Sequence, residues 1–247
     1  MIRPTQKSVS TKTFFLLFLL IVLWLFPIPL LALESDSLWF RAVEIRERNN
    51  YWLPGEMQIS SWEYNSSGRL ENREVVVLSV SGDSMDSLEY TILSAHKNGI
   101  DTTEARIKEE EKRRNSGNPQ NRQSPDPFDR EVQSLVKQYS TGETKIIEGR
   151  RAAEYRFSLP GEKRFHYSGS AWLDTETAVP LLVELVLDPL PPLVTEFYLS
   201  TKYSPFPDQW YPLEVEMKAA GTFLFIKRRF ETSLQFSKYR LSNDGKL

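Results

Sequence analysis

The chain has 247 residues, 31 basic against 33 acidic for a formal net charge of −2, and no cysteine. Charges of both signs are interspersed, so no basic face is available to neutralise a phosphate backbone, which argues against nucleic-acid binding. The missing thiols exclude disulfides, a thiol nucleophile, cysteine-based metal sites and the lipidated cysteine of a bacterial lipoprotein; a domain of about 210 residues can bury enough apolar surface without such staples.

The first thirteen residues carry Arg3, Lys7 and Lys12 with no acid, and residues 14–33 are apolar apart from Pro27 and Pro29. This is the pattern of a secretory signal. It is also long enough to cross a bilayer at 1.5 Å per residue, so residues 1–33 read either as a signal peptide or as an uncleaved membrane anchor. In both cases residues 34–247 are translocated.

In the translocated part, Ser35 or Asp36 can cap a helix over Leu38 to Arg48, ended by Pro54 and Gly55. Two strands, Met57 to Tyr64 and Glu74 to Val80, flank the turn Asn65-Ser66-Ser67-Gly68, and a third runs from Leu88 to Ala95. Residues 104–114 are almost wholly charged, with Glu104 and Lys108, Glu109 and Arg113, and Glu110 and Arg114 at the spacing that supports an exposed helix. Residues 115–127 are rich in Asn, Gln, Ser and Pro. Together these segments read as a charged, mobile insertion at about 103–128 that buries nothing. A second helix is expected from Asp129 to Tyr139, where Val132, Leu135, Val136 and Tyr139 recur at i, i+3, i+4 and i+7.

From about Arg150 onward the pattern alternates. Ala153, Tyr155, Phe157 and Leu159 interleave with Glu154, Arg156 and Ser158, and similar runs follow to Tyr239, so an antiparallel sheet with one buried and one wet face is expected. Seven to nine such strands would enclose a large apolar concavity with only two helices to fill it. Two outcomes are open: the side chains close the interior on themselves, or the hollow accepts a hydrophobic guest.

No catalytic set emerges. Gly82-Asp83-Ser84-Met85 looks like the nucleophile block of a lipase group, but Leu93 and Lys163 stand where an Asp would have to precede His96 or His166. The two histidines make a poor metal site, and Glu214 with Glu216 reads as a solvent-facing row. Trp172, Trp210, Tyr198 and Tyr211 could rim an opening, or simply pack. A binding protein is expected, without enzymatic activity, metal or cofactor.

The segment Gly169-Ser170-Ala171-Trp172-Leu173-Asp174-Thr175-Glu176-Thr177-Ala178-Val179-Pro180-Leu181 resembles the strand, turn and strand "G-x-x-W-[IL]-D-x-x-T-x-x-P-[LI]" of the LolA/LolB/RseB-like superfamily. Gly149 to Phe157 resembles the "G-x-x-[AT]-x-x-Y-x-[FL]" strand that precedes it there, and Tyr211-Pro212 and Phe236 to Tyr239 also suit the pattern. The resemblance implies an α+β fold: a strongly curved antiparallel half-barrel, here over residues 34–247, with helices covering its concave face. It further implies a periplasmic protein, anchored to the inner membrane if residues 14–33 are retained. Its partners would be lipid or the acyl chains of lipoproteins, in lipoprotein sorting, transport and outer-membrane biogenesis. The alternative is an envelope-stress sensor or interaction module of the same shape, with a self-filled core and a protein partner. A monomer is expected. Strand phase names the candidate lining of the cleft: Tyr155, Phe157, Phe165, Tyr167, Val183, Leu185, Phe197, Leu199, Leu213, Val215, Leu224 and Ile226.

Overall fold

The structure is a computed structural model that describes residues 30–84, 87–115, 126–161, 166–223 and 226–242. The expected leader lies outside them except for residues 30–33, which open helix α1 (Leu30–Arg48). Among the described residues no helix is long and apolar enough to cross a membrane. After α1 come β1 (Trp52–Leu53), β2 (Glu56–Tyr64), β3 (Leu70–Ser81), β4 (Glu89–Lys97), β5 (Ile100–Asp101) and helix α2 (Thr103–Asn115). A 3-10 turn at Arg130–Val132 leads to β6 (Lys137–Ile147), β7 (Arg150–Pro160), β8 (His166–Asp174), β9 (Pro180–Asp188) and β10 (Val194–Tyr203). The chain closes with β11 (Pro212–Phe223), β12 (Ile226–Ser237) and β13 (Arg240–Leu241).

Strands β2 to β12 form one open antiparallel sheet of eleven strands in the order β5-β4-β3-β2-β12-β11-β10-β9-β8-β7-β6, while β1 pairs with β13. The architecture is the expected α+β one, a curved half-barrel-like sheet with, among the described residues, two helices. Register assigns the faces. Tyr155 opposes Ala171, Ala171 opposes Val183, and the same side continues through Thr201, Val215, Leu234, Ile59, Val76 and Ala95. The opposite side carries Glu154, Ser170, Glu184, Ser200, Glu216 and Ser233, so from β7 to β12 one face is mainly apolar and the other mainly polar; on β2 and β3 the two mix, with Glu63 and Glu74 on the first side and Val75 and Val77 on the second.

Helix α1 covers the apolar face at the β6 to β9 end. Trp39, Ala42, Val43 and Ile45 are buried there against Tyr155, Phe157, Leu173, Val183 and Leu185 in one cluster. The Trp39 ring sits 4.8 Å from Phe128, 5.8 Å from Tyr155 and 5.9 Å from Phe157, and its Nε1–H donates to Gln133 Oε1 at 3.0 Å. At the helix end the Asn49 side chain donates to the carbonyls of Ile45 and Pro207 and accepts the Trp210 amide, satisfying a buried polar group three times over.

Two local expectations change. No helix forms at Asp129 to Tyr139: after the 3-10 turn the chain enters β6, pairing Lys137 with Ser158 and Tyr139 with Arg156. The β-branched residues Thr141, Thr144, Ile146 and Ile147 favour the strand, and pairing with β7 satisfies a main chain that one apolar helical stripe could not outweigh. The tail of the charged insertion also buries side chains after all. Pro127 and Phe128 are fully buried, and Asp126 meets Arg46 at 2.5 Å, which fastens the segment to α1. Within α2 the Glu110–Arg114 pair forms at 3.5 Å, alongside Arg106–Glu109 and Glu110–Arg113 at i+3 spacing. The helix caps β4, because Thr103 Oγ1 accepts the Ala95 amide at 2.9 Å and Arg106 lies 3.9 Å from Glu74.

The motif carrying the family resemblance proves to be turn and packing chemistry. Glu148 (φ 48°) and Gly149 (φ 80°) form the two-residue turn between β6 and β7, with both residues left-handed as a type I′ turn requires. A Cβ at Gly169 would stand 1.8 Å from the Glu184 carbonyl, so only glycine lets β8 and β9 approach. In the β8–β9 turn, Asp174 accepts the Glu176 amide at 2.9 Å, the Thr177 amide at 3.0 Å and Arg150 at 3.1 Å. Burial pushes the Asp174 carboxyl up, but the Thr177 and Glu176 amides and Arg150 together hold it below the usual carboxylate range. Pro180 ends the turn and accepts the Trp210 indole N–H at 2.9 Å.

Trp39→Ala should therefore destabilise the protein by about 3–5 kcal/mol in urea denaturation, whereas truncation of its exposed neighbour in Phe40→Ala should stay within about 0.5 kcal/mol. Because the Asp174 pKa is depressed on folding, its stabilisation is present above the unfolded value near 3.9 and is lost as pH falls through the folded value. Asp174→Asn should cost roughly 1.5–3 kcal/mol at pH 7 and should flatten the fall of the urea midpoint on acidification.

Candidate functional site

The apolar face is not covered evenly. At one end the Trp39 cluster is solid. At the other, Val76, Leu78 and Ala95 form a second buried cluster, with Met57, Ile59 and Ile92 packed on it near α2. Between them, on β10, β11 and β12, Phe197, Val215, Met217, Leu234 and Phe236 are half-buried, and none belongs to either cluster. The registers Leu199 with Met217, Val215 with Leu234 and Leu234 with Ile59 make these side chains neighbours on one surface. A strip of half-covered hydrocarbon thus crosses the middle of the sheet.

The twelve predicted lining residues divide accordingly. Tyr155, Phe157, Val183 and Leu185 lie at 3% exposure or less, inside the core under α1. Tyr167 and Leu199 are partly buried at the margin of that core. Phe197, Leu213 and Val215 are half-buried and stand on the strip. Phe165 and Leu224 fall outside the described residues, as does the side chain of Ile226. Met57, Ile59, Met217 and Leu234 share the strip's face but were not among the twelve. Their alternation is legible in the sequence; what it lacks is any sign that β12 pairs with β2.

A groove of about 820 Å³ lies on the other side of the sheet, lined by Tyr139, Arg156, Ser168, Trp172, Glu184 and Tyr198 among others. Its central carboxylates, Glu154 and Glu184, are already satisfied. Glu154, 2% exposed, accepts from Ser170 at 2.9 Å and Thr141 at 3.0 Å and pairs with Arg156 at 2.9 Å. Glu184 accepts from the Tyr198 hydroxyl at 2.7 Å and from Trp172 Nε1 at 3.2 Å. Burial first, then the hydrogen bond to Glu184, raises the Tyr198 hydroxyl to about 12. Lys145 sits 3.8 Å over the Trp172 ring. Such a network rigidifies the sheet and offers nothing to an alkyl chain.

The aromatic residues weighed as a rim are scattered. Trp210 is buried and stacks on Tyr203 with centroids 4.4 Å apart, Tyr211 stacks on Tyr239 at 3.8 Å, and Trp172 and Tyr198 belong to the polar face. Ser84 is held in a turn by Ser87, with main-chain and side-chain contacts of 3.0 Å. Glu214 pairs with Lys202 at 2.8 Å on the polar face. Among the described residues no group of acids and histidines could hold a metal ion.

No family model matches the chain, and no curated protein matches it. Among solved structures it is similar to a predicted outer membrane lipoprotein-sorting protein domain from Vibrio parahaemolyticus, at 12% identity and TM-score 0.39 over 86% of this chain and 94% of that one. It is similar also to a LolA superfamily protein from Nitrosomonas europaea, at 11% identity and TM-score 0.37 over 84% and 93%. A third likeness is to a Pseudomonas aeruginosa MucA/MucB complex, at 11% identity and TM-score 0.23 over 84% and 99%. These likenesses concern the course of the chain and supply no functional residue. In fold the chain is an open, curved antiparallel sheet with a helix against its apolar face.

Proposed function

We propose that the protein is an exported, periplasmic binding protein that carries a hydrophobic ligand, the acyl chains of a lipoprotein or a lipid, on the strip between its two buried clusters. The observation that supports this is the half-exposure of Phe197, Val215, Met217, Leu234 and Phe236 in the middle of a face that is buried at both ends. Each methylene moved from water onto such a surface contributes about 0.8 kcal/mol, so an alkyl chain lying across β10 to β12 needs no polar anchor and no covalent step. The basic and apolar leader supports export, and the satisfied carboxylates of the polar face fit a binding role better than a catalytic one.

A second reading has its own support. Tyr155, Phe157, Val183 and Leu185 are sealed under α1, so half of the hollow is self-filled, as an interaction module without lipid cargo would be. Native mass spectrometry of the protein extracted from its own membranes in mild detergent separates the two. Carriage predicts about one equivalent of lipid or lipoprotein; an empty protein favours the module. Met217→Asp, at a half-exposed site, should leave folding within about 1 kcal/mol. The same change should weaken binding of a fluorescent fatty acid by more than about tenfold, or about 1.4 kcal/mol, and an unchanged affinity would rule out the strip.

A further inference from the structure

The groove on the polar face takes no part in alkyl binding, and its make-up differs from that of the surface beside it. It reaches across β6 to β10, roughly 19 Å at about 4.8 Å per strand. Short side chains form its floor: Ser158 stands opposite Ser168, and Ser170 lies two residues along β8 on the same face. Longer ones border it, Lys137, Tyr139 and Arg156 on β6 and β7, Val186 and Tyr198 on β9 and β10. Beyond β10 the row that begins with Ser158 and Ser168 continues through Lys218, Glu231, Trp62 and Arg73, so large side chains occupy the surface where the groove has serines.

Part of the groove's bonding capacity is used by Glu154 and Glu184, and part is not. Among the described residues the hydroxyls of Ser158, Ser168 and Tyr139 and the ammonium of Lys137 have no hydrogen-bond or ion-pair partner. Arg156 pairs with Glu154 through Nε at 2.9 Å yet remains exposed, so its fork still holds N–H groups for another acceptor. Gln138, which also lines the groove, has a buried Oε1 that finds no donor among the described residues, a rare state in folded proteins. Ser158 and Ser168 are themselves half-buried, so they are fixed groups on a shaped floor and not free ends on a wet surface.

These groups call for a ligand that donates and accepts at many points, carries no net charge and has flat apolar faces. The lining carboxylates Glu143, Glu154 and Glu184 offset Lys137 and Arg156, so charge does not recruit a polyanion here. An extended peptide adds to a sheet by main-chain pairing at an edge, whereas β7, β8 and β9 have both neighbours in place. Ring faces stand at both ends of the groove: Tyr139 is 63% exposed, and the hydroxyl bond to Glu184 draws the Tyr198 ring toward β9 beside the exposed Val186. We infer that the groove binds a neutral oligosaccharide lying across the strands, its hydroxyls met by Ser158, Ser168, Lys137 and Arg156 and the C–H faces of its sugar rings set on Tyr139 and Tyr198. This site is on the face opposite the strip and is independent of any lipid cargo.

Isothermal titration calorimetry of the full chain with maltotriose, cellotriose and chitotriose, and with the acidic trigalacturonate alongside, tests this. At least one neutral trisaccharide should bind saturably at one site, and trigalacturonate should bind at least about tenfold more weakly. Tyr139→Ala and Ser168→Leu, which remove a stacking face and fill the floor, should each weaken that binding at least about tenfold. Tyr139 is exposed, so its truncation should leave the urea midpoint unchanged and a loss of affinity there does not come from unfolding. Met217→Asp, on the other face, should leave saccharide affinity as it is, so loss of lipid carriage and loss of sugar binding are read apart. No binding of any of the three neutral sugars, an undiminished affinity in Tyr139→Ala, or equal binding of trigalacturonate would overturn the assignment.

Discussion

The seating of Trp39 on the apolar face of the sheet is the contact on which the remaining structure depends. An eleven-stranded open sheet with one oily side cannot stay in water uncovered. A single indole, wedged among Phe128, Tyr155 and Phe157, fixes α1 over one end of that side. Through Asn49 the same helix ties down the loop before β11, and through Arg46 it ties down the end of the segment that follows α2. Helix, loop and insertion are thereby locked to one half of the sheet, and the cover stops where Trp39's neighbours stop.

The two faces answer opposite physical demands. On the polar side, the buried carboxylate of Glu154 and the half-buried one of Glu184 are tolerated because each has several donors: Glu154 among Ser170, Thr141 and Arg156, Glu184 between Tyr198 and Trp172. That network holds the twist of β7 to β10 without movable parts. On the apolar side the filled and half-filled regions adjoin without a wall, because they are made by the same strands: Val183 and Leu185 on β9 are sealed, and Phe197 on the neighbouring β10 is not. A carrier and a protein-docking module would differ only in how far the cover extends along this face.

Much of this was legible from the alternation of residues alone. Tyr155, Phe157, Val183, Leu185, Phe197, Leu199 and Val215 all fall on the face that strand phase assigns them. Phase cannot say what lies above a residue, which is why Tyr155 and Phe157, read as cleft lining, are found beneath Trp39. The helix expected at Asp129 to Tyr139 failed because the chain turns through a short 3-10 segment ending at Val132 and then enters β6, where Tyr139 pairs with β7. The burial of Phe128 left almost no sign in a stretch dominated by Asn, Pro and Ser. The resemblance motif was informative about shape because Gly149, Gly169, Asp174 and Pro180 build turns and close approaches; for the same reason it says little about cargo.

The pairing of β2 with β12 joins parts of the chain that are far apart in sequence: Ser61 meets Thr232 across 171 positions. The second buried cluster is made by the neighbouring strands β2, β3 and β4, whereas the first brings Trp39 of α1 onto strands far along the chain, and the seam likewise closes a long loop. The half-covered strip borders that seam from one side, on β10 to β12. Without the seam the sheet would fall into two pieces, β2 to β5 with one buried cluster and β6 to β12 with the other.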